Sequence, residues 1–475
     1  MVHNGEKGIS VTLAISTLLI VAVIMSVGMG VMKLNGMITF LLALVGVCVV
    51  AICTGVRLEE LQNILIKGFN NSSLTVMILV AVGMVVGSWI ISGIVPSIIY
   101  YGLKIFTPSS FLLVGFLISC IVSFFTGSSY ASLGTLGVAF MAIGYGMGIN
   151  PGLVAGMSVS GAVFGDKMSP FSDTTNMAPG AAGTDIFLHI RSMMYTIIPS
   201  FIISAVLYYF LGTRYSVSSA NSISSITAIM DALRTSFTIS PLLLIVPVLT
   251  VLLVIKKMPA VIALVLGAFG GVVAGLIAQP QFSLKEIITS MAIGFKGSFK
   301  VEALEKLLNR GGISSMMSVV VYCLLALALG ELMYEMGILT TLFNSVKGKL
   351  LKPSNLIISA LFSCLITVML TTSQYMGILL PGEMFREPFK QAHIAPYVLS
   401  RTLEDGGTVF AFLVPWSAAA IYSTGVLGVS TLEYLPFAFL PICCPLAAIV
   451  YAITGIGVFD TNNQSLRGKT NKLHE

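Results

Sequence analysis

The stretch of sequence that decides the fold is GDKMSPFSDTTN, residues 165–176. It follows an apolar run, precedes a stretch of small residues at 177–183, and places Asp166 and Asp173 on either side of Pro170. Proline lacks an N–H group and clashes with the preceding helical turn, so a helix that runs through this stretch kinks or breaks. The stretch therefore predicts a broken helix that carries ionisable groups. The composition of the rest of the chain indicates whether water or lipid surrounds this helix.

The composition indicates that lipid surrounds most of the chain. Of the 475 residues, 56% are hydrophobic and only 9% are charged, whereas about 25% of the residues of a soluble globular domain are charged. The apolar runs are continuous rather than alternating, which favours transmembrane helices over a β-barrel. We predict an all-α polytopic membrane protein with about 11–14 passes of about 20 residues each. Such a protein crosses a membrane several times and contacts membrane lipids.

The charges and cysteines argue against other classes of protein. The net charge is +6, and the basic residues lie in loops and tails, as the positive-inside rule describes. They form no basic face, so nucleic acid is not expected as a partner. The seven cysteines lie in apolar segments without the spacing of metal ligands, and we interpret them as packing residues.

The second half of the chain repeats the first at an offset of 245 residues. The matched positions are mainly Pro, Gly, Ser and Tyr, which are not the residues that fill apolar segments. Among the matches are Thr126 with Thr371, Ser128 with Ser373, Tyr130 with Tyr375, Gly161 with Gly406, Pro170 with Pro415, and Ser172 with Ser417. Further upstream the offset drops to 226, where Gly68 meets Gly294. We interpret the difference as a 19-residue insertion in the first copy.

Duplicated halves are a signature of secondary transporters, which place their sites on discontinuous helices at the repeat interface. We predict two homologous repeats, 9–212 and 240–458, joined by a polar linker at 213–239. An odd number of passes in each half would make the repeats inverted, which is the arrangement that we expect. Helices should break near Pro170 and Pro415.

Residues 165–176 combine two carboxylates with many neutral oxygens. Hard cations such as sodium prefer oxygen ligands, and a carboxylate supplies the compensating charge. We predict Asp166 and Asp173 as sodium ligands, with neutral ligands or supporting oxygens from Ser169, Ser172, Thr174, Thr175 and Asn176. A carboxylate that accepts either a sodium ion or a proton, but not both, gives obligatory exchange. The alternative is an ordinary hydrophilic loop in which Asp173 caps a helix.

A second set of residues is predicted to support this site. Glu404 and Asp405 precede a Gly-Gly pair in the second copy, where they either face the site or begin a membrane span. Two polar breaks at equivalent positions, 126–129 and 371–374, are candidates for re-entrant tips or short interfacial turns. The supporting set is Lys167, Pro170, Thr126, Ser128, Ser373, Gln374, Glu404, Asp405, Pro415 and Ser417.

One histidine lies close to the motif. Asp185, His189 and Arg191 come just before the span that starts near Ser192, and we interpret them as a solvated loop or helix end. The alternative is that His189 titrates near neutral pH and senses it.

Residues 165–176 resemble the signature of the NhaC sodium/proton antiporter family, and the continuation to His189 is similar to that family as well. The resemblance implies a multi-pass secondary antiporter of the cell (cytoplasmic) membrane with paired repeats and re-entrant segments. Its partners would be sodium ions and protons as transported species, with no cofactor. The family also includes transporters that resemble malate/lactate exchangers coupled to sodium and protons, so small organic anions are an alternative substrate. A homo-oligomer is compatible with this class.

Two other functions are weaker. The pair Gly165-Asp166 is faintly similar to an intramembrane aspartyl protease, but the partner motif is missing, so we do not expect an enzyme. A channel would not need duplicated halves with carboxylates off-centre, which favour alternating access.

Overall fold

The computed structural model describes residues 9–34, 36–216, 219–299, 305, 308–309, 311–338, 341 and 352–466. These residues form helices joined by short turns. Within them, β-structure is limited to two isolated bridges, Ile394 with Asp460 and Phe459 with Ser465. The predicted all-α fold is confirmed.

Prolines and a π-helical turn mark where several helices of the N-terminal half begin or break. Pro108 and Pro151 each occupy the first turn of a helix, where a missing N–H group leaves no hydrogen bond unmade. A π-helical turn, Leu133–Gly137, separates two short helices. The helices are α1 (Val11–Met25), α2 (Gly36–Cys53), α3 (Leu58–Ile91), α4 (Ile94–Ile105), α5 (Pro108–Thr126), α6 (Ser129–Ser132), α7 (Val138–Gly146), α8 (Pro151–Met168), α9 (Asp173–Ala182), α10 (Ile186–Ser216) and α11 (Ser219–Ser236).

The C-terminal half follows the same plan. Pro353 and Pro396 again begin helices, at the positions that correspond to Pro108 and Pro151. The helices are α12 (Ile245–Ile255), α13 (Ala260–Ala278), α14 (Leu284–Ile293), α15 (Ile313–Glu335), α16 (Pro353–Thr371), α17 (Gln374–Gln391), α18 (Pro396–Ala411), α19 (Ala418–Leu427), α20 (Thr431–Tyr434) and α21 (Phe439–Thr454).

Helix boundaries in the two halves coincide at the offset of 245 residues. The four helical segments that surround the motif have counterparts that begin at the equivalent residue: α5 and α16, α6 and α17, α8 and α18, and α9 and α19. The segments that follow, α10 and α20, also begin at equivalent residues, Ile186 and Thr431. The duplication therefore extends to where each helix starts.

The contact between α3 and α15 indicates that the repeats are inverted. At the same offset, Gly68 corresponds to Ile313 and Gly83 corresponds to Ala328. A Cβ atom on Gly68 would lie 2.6 Å from Ala328 Cα, and one on Gly83 would lie 3.1 Å from Ile313 Cα. Each residue thus faces the counterpart of the other, as in an isologous contact, and the two helices run antiparallel. Equivalent helices that run in opposite directions define an inverted repeat.

The insertion that separates the two offsets lies in the second copy. Helix α3 is continuous from Leu58 to Ile91, whereas its counterpart is divided into α14 and α15 by residues 294–312. Leu284 matches Leu58 at the offset of 226, and Ile313 matches Gly68 at the offset of 245. The expectation of an insertion in the first copy is therefore wrong, because an offset that rises along the chain means that the later copy has gained residues.

The helices are long and apolar enough for several membrane crossings. Among the described residues, seven helices pass as single spans, or up to nine when two bent pairs are counted. This is fewer than the predicted 11–14, because the broken helices are too short or too polar to pass alone. Large apolar side chains on the outer surface, such as Leu19, Val23, Phe269 and Val273, are about half exposed, as lipid contact requires.

Both predicted breaks are confirmed. Helix α8 ends at Met168 and α9 begins at Asp173, so the chain is non-helical around Pro170. In the second copy α18 ends at Ala411 and α19 begins at Ala418, with Pro415 between them. The linker expected at 213–239 contains helix α11. Its limits, and those of the repeats 9–212 and 240–458, stay a prediction.

The close contact of α3 and α15 generates a prediction about stability. We expect Gly68→Ala to lower the thermal unfolding midpoint of the detergent-purified protein, because the added Cβ atom meets the backbone of Ala328. Overpacking of this kind destabilises by about 1–3 kcal/mol. Gly180→Ala is the matched control, since a Cβ atom there has no neighbour within 4 Å and alanine has the higher helix propensity. Equal midpoints for the two variants would contradict the packing.

Candidate functional site

The two helix breaks of the first copy, at 127–128 and 169–172, cross each other. Gly127 ends α5 with a left-handed φ of 64°, and a Cβ atom on it would lie within 3 Å of backbone atoms of Phe171 and Ser172. Glycine is needed there both for its conformation and for this close approach. In the second copy, Thr372 takes the same conformation with a φ of 59°, and its carbonyl oxygen accepts a hydrogen bond of 2.8 Å from the Ala418 N–H group.

Asp166 connects the two breaks of the first copy. It lies in the last turn of α8 and is only 4% exposed. The Ser129 N–H group donates to Asp166 Oδ1 at 3.0 Å, and the Ser129 hydroxyl donates to Asp166 Oδ2. The Ser172 hydroxyl lies 3.5 Å from Oδ1. One buried carboxylate therefore holds the end of one broken helix against the start of the other.

Three hydroxyls of the motif gather at the Asp166 end of α8. Thr174 Oγ1 lies 3.3 Å from the Asp166 carbonyl oxygen, and Thr175 Oγ1 lies 2.5 Å from it. The Ser172 and Thr174 hydroxyls are 3.0 Å apart. All three side chains are buried, so the structure brings together a carboxylate, a carbonyl and several hydroxyl oxygens.

The other predicted ligands lie further out. Asp173 and Asn176 are exposed on the first turns of α9. The Asn176 amide donates to the carbonyl oxygens of Pro170 and Ser172, at 2.9 and 2.7 Å. Ser169 is buried, and its hydroxyl accepts the Phe171 N–H group at 3.2 Å. Ser169 and Asn176 thus shape the turn, whereas Asp173 stands at its surface.

A buried ion pair joins the two repeats beside this cluster. Lys167 of α8 forms a salt bridge with Asp405 of α18, and both side chains are fully buried. The Thr196 hydroxyl of α10 donates to the same Asp405 oxygen at 3.0 Å. Lys167 therefore pairs with a residue of the other repeat, although Asp166 is its neighbour in the sequence.

Glu404 is a second buried carboxylate on α18. It is 0% exposed and accepts a hydrogen bond of 2.8 Å from the Thr408 hydroxyl. Of the two interpretations open at the sequence level, the structure places both Glu404 and Asp405 within a helix in the interior, and not in a loop before a span.

The remaining supporting residues cap the helix breaks. The Ser128 and Ser373 hydroxyls accept N–H groups three residues later, at 3.2 and 3.4 Å, and so begin α6 and α17. Ser417 does the same for α19 at 3.1 Å and donates to the Ala411 carbonyl oxygen. The other members lie at the same breaks. Thr126 donates to the Ser123 carbonyl oxygen at 3.2 Å, Gln374 begins α17 in a buried position, and Pro170 and Pro415 lie within the breaks.

Three residues at the centre were not singled out from the sequence. Ser129 lies inside the polar break at 126–129, so the polar residues beside it could have pointed to it. Thr196 and Thr408 lie in helices without a local feature that marks them. His189 was interpreted as solvated, but it is 0% exposed, and its Nδ1 atom lies 2.7 Å from the Ser400 hydroxyl of α18.

The ion pair generates a prediction about stability. We expect Asp405→Asn to lower the thermal midpoint strongly, because Lys167 is left buried and unpaired, which costs about 3–5 kcal/mol. The double variant Lys167→Met, Asp405→Asn should regain most of the loss, since removing both charges removes the unpaired one. Glu335→Gln is the control, because it breaks a partly exposed pair with Lys67, and such pairs contribute at most about 1 kcal/mol. A double variant no more stable than Asp405→Asn would contradict this account.

Comparisons with known proteins agree with this architecture. A sequence model of the Na⁺/H⁺ antiporter family matches residues 6–175 and 161–456. The chain is 37% identical to the Na⁺/H⁺ antiporter NhaC of Alkalihalophilus pseudofirmus, over 95% of this chain and 98% of that one. It is 31% identical to the NhaC antiporter of Bacillus subtilis, over 94% and 98% of the two chains.

A third relative has a different name. The malate-2H⁺/Na⁺-lactate antiporter of Bacillus subtilis is 36% identical, over 88% of this chain and 90% of that one. The family match and the relatives together span almost the whole sequence, and the structure supplies the helices for several membrane crossings. The chain is thus a multi-pass cell-membrane protein that belongs to the Na⁺/H⁺ antiporter family, as do proteins named NhaC.

Proposed function

We propose that the chain is a secondary antiporter that exchanges sodium ions for protons, with Asp166 as the carboxylate for which the two ions compete. The observation that carries the proposal is the position of Asp166, which is buried at the crossing of two broken helices in a member of this family. Ionisable groups in such positions mark ion pathways.

The oxygens around Asp166 suit a dehydrated sodium ion. A hard cation takes carboxylate, carbonyl and hydroxyl oxygens, and Ser172, Thr174 and Thr175 offer hydroxyls at the same place. Ser129 holds both carboxylate oxygens in position. Small rotations of these hydroxyls would turn their lone pairs toward an ion. Asp173 lies at the exposed entrance, where a second carboxylate attracts cations, while Ser169 and Asn176 maintain the turn.

Exchange follows from sharing one carboxylate. A bound proton neutralises Asp166 and removes the charge that sodium needs, and a bound sodium ion displaces the proton. Sodium ions and protons are therefore cargo and not resident cofactors, and the reaction needs no covalent chemistry. Lys167 and Asp405 compensate each other's charge, so they connect the repeats without adding net charge at the site.

The inverted repeats provide a route to alternating access. In transporters of this design, one repeat or bundle moves against the other around a site at their interface. We propose 9–212 and 240–458 as the repeats and 213–239 as the linker. Asp166 and Lys167 belong to the first repeat and Asp405 to the second, so a movement between repeats changes the surroundings of the site.

The second candidate function is sodium- and proton-coupled exchange of small organic anions such as malate and lactate. The relative of that name covers most of this chain. Transport by the purified protein in proteoliposomes, with and without malate and lactate, separates the two. Sodium-driven proton movement that needs neither anion supports plain Na⁺/H⁺ exchange, and movement that requires an anion supports the second candidate.

The assignment of Asp166 is tested by Asp166→Asn. Asparagine keeps an oxygen ligand but removes the charge and the ability to bind a proton, so we expect sodium-dependent proton movement to disappear in proteoliposomes. Asp173→Asn should retain part of it, because Asp173 is exposed. Asp231→Asn, an exposed aspartate on α11, is the matched control and should transport normally. Activity close to that of the unmodified protein in both site variants would move the centre to Glu404 and Asp405.

Competition for one carboxylate also fixes how transport depends on pH. As the pH falls, protons occupy Asp166 and the apparent affinity for sodium must fall, by about tenfold per pH unit once the protonated form dominates. The measurement is the sodium concentration that gives half-maximal proton movement at a series of pH values. A half-maximal concentration that does not change with pH would show that the two ions bind at separate places.

A further inference from the structure

Buried polar atoms without hydrogen-bond partners are concentrated on two helices, α10 and α18. Within the described part of the chain, five such atoms belong to these two helices: His189 Nε2, Ser192 Oγ, Arg401 Nε, Glu404 Oε2 and Asp405 Oδ2. Each of the five side chains is at most 3% exposed. A buried polar atom that lacks a hydrogen bond is rare in a folded protein and calls for an explanation such as a water molecule or an ion.

Two hydrogen bonds fix the helices at either end of this group. His189 Nδ1 lies 2.7 Å from the Ser400 hydroxyl, and Thr196 Oγ1 lies 3.0 Å from Asp405 Oδ1. His189 and Thr196 are two helical turns apart, about 10 Å along α10. Ser192 lies between them on the same face, since residues three or four apart share a face. The five unpartnered atoms therefore belong to residues in the stretch that these two contacts bound, 189–196 on α10 and 400–405 on α18. We call this group of atoms the file.

The chemistry of the file fits water. A buried water molecule needs two to four polar partners, and the file offers both signs of hydrogen bond. Arg401 Nε–H is a donor, the carboxylate oxygens of Glu404 and Asp405 are acceptors, and the hydroxyl and the imidazole can do either. A small organic anion suits the file less well, because it would meet those two carboxylates.

We infer that the interface between α10 and α18 holds a file of water molecules that carries protons between His189 and the carboxylates of α18, along a route separate from that of sodium. The inference rests on the proposed Na⁺/H⁺ exchange. One ring nitrogen of His189 contacts Ser400 and the other has no hydrogen-bond partner, so the ring can accept a proton at one nitrogen and release it from the other.

Separate routes make a testable distinction between two kinds of exchange. Sodium–sodium exchange, measured with radioactive sodium, needs no proton movement, whereas sodium-driven proton movement needs both routes. We expect His189→Asn in proteoliposomes to lose sodium-driven proton movement by about 100-fold, the lower end of what a positioned proton-transfer group contributes. Sodium–sodium exchange should stay close to that of the unmodified protein. Asparagine keeps a polar atom near the position of Nδ1 but cannot relay a proton.

A pair of substitutions at Ser192 tests the water itself. Ser192→Ala removes the hydroxyl but leaves its space to water, so it should keep more proton movement than Ser192→Val, which fills the space with methyl groups and should behave like His189→Asn. His393→Asn, at a histidine outside the file, and Ser204→Ala, at a serine that donates to the Ser200 carbonyl oxygen, are the matched controls.

The outcomes separate the two proposals. Absence of sodium-driven proton movement in the unmodified protein would overturn the proposed exchange itself. If the unmodified protein exchanges, normal proton movement in His189→Asn and Ser192→Val would overturn the proton route. A parallel loss of both kinds of exchange in these variants would overturn it as well, because that pattern belongs to a structural role. Selective loss of proton movement in His189→Asn and Ser192→Val, with more of it kept in Ser192→Ala, supports the route.

Discussion

The constraint on which this structure depends is that backbone N–H and C=O groups in lipid must find partners within the protein. A broken helix frees such groups, and here they are met by another break or by a nearby hydroxyl. The Ala418 N–H group donates to the Thr372 carbonyl oxygen, and the Thr174 and Thr175 hydroxyls cover the Asp166 carbonyl oxygen. Breaks that satisfy each other in this way leave polar oxygens gathered inside the protein, which is the environment that an ion requires.

Duplication supplies this scaffold twice, but the charges occur at positions that do not correspond. Asp166 and Lys167 of the first copy match Ala411 and Phe412 of the second. Glu404 and Asp405 of the second copy match Val159 and Ser160 of the first. The inverted fold brings the unmatched charges together, because α8 and α18 meet at the interface of the repeats, where Lys167 reaches Asp405. A symmetric scaffold thus carries one asymmetric charged centre.

Helix α10 makes a further set of polar contacts with the helix that carries Glu404 and Asp405. Thr196 and His189 attach α10 to α18 through Asp405 and Ser400. Helix α18 therefore contacts both α8, through Asp405, and α10, through Ser400 and Asp405, and it carries three of the unpartnered polar atoms. Two ions that compete for one region can then approach it along different paths, which suits an exchanger.

The sequence by itself determined the helical class, the duplication and the breaks at Pro170 and Pro415, and it led to the prediction that residues 165–176 form the site. Each of these follows from local chemistry: apolar runs, the missing N–H group of proline, and polar residues repeated at a fixed offset. Only the tertiary structure decided that Lys167 pairs with Asp405, that Ser129 holds Asp166, and that His189 is buried. These contacts join residues far apart in the chain, and they depend on how antiparallel repeats pack, which no local pattern encodes.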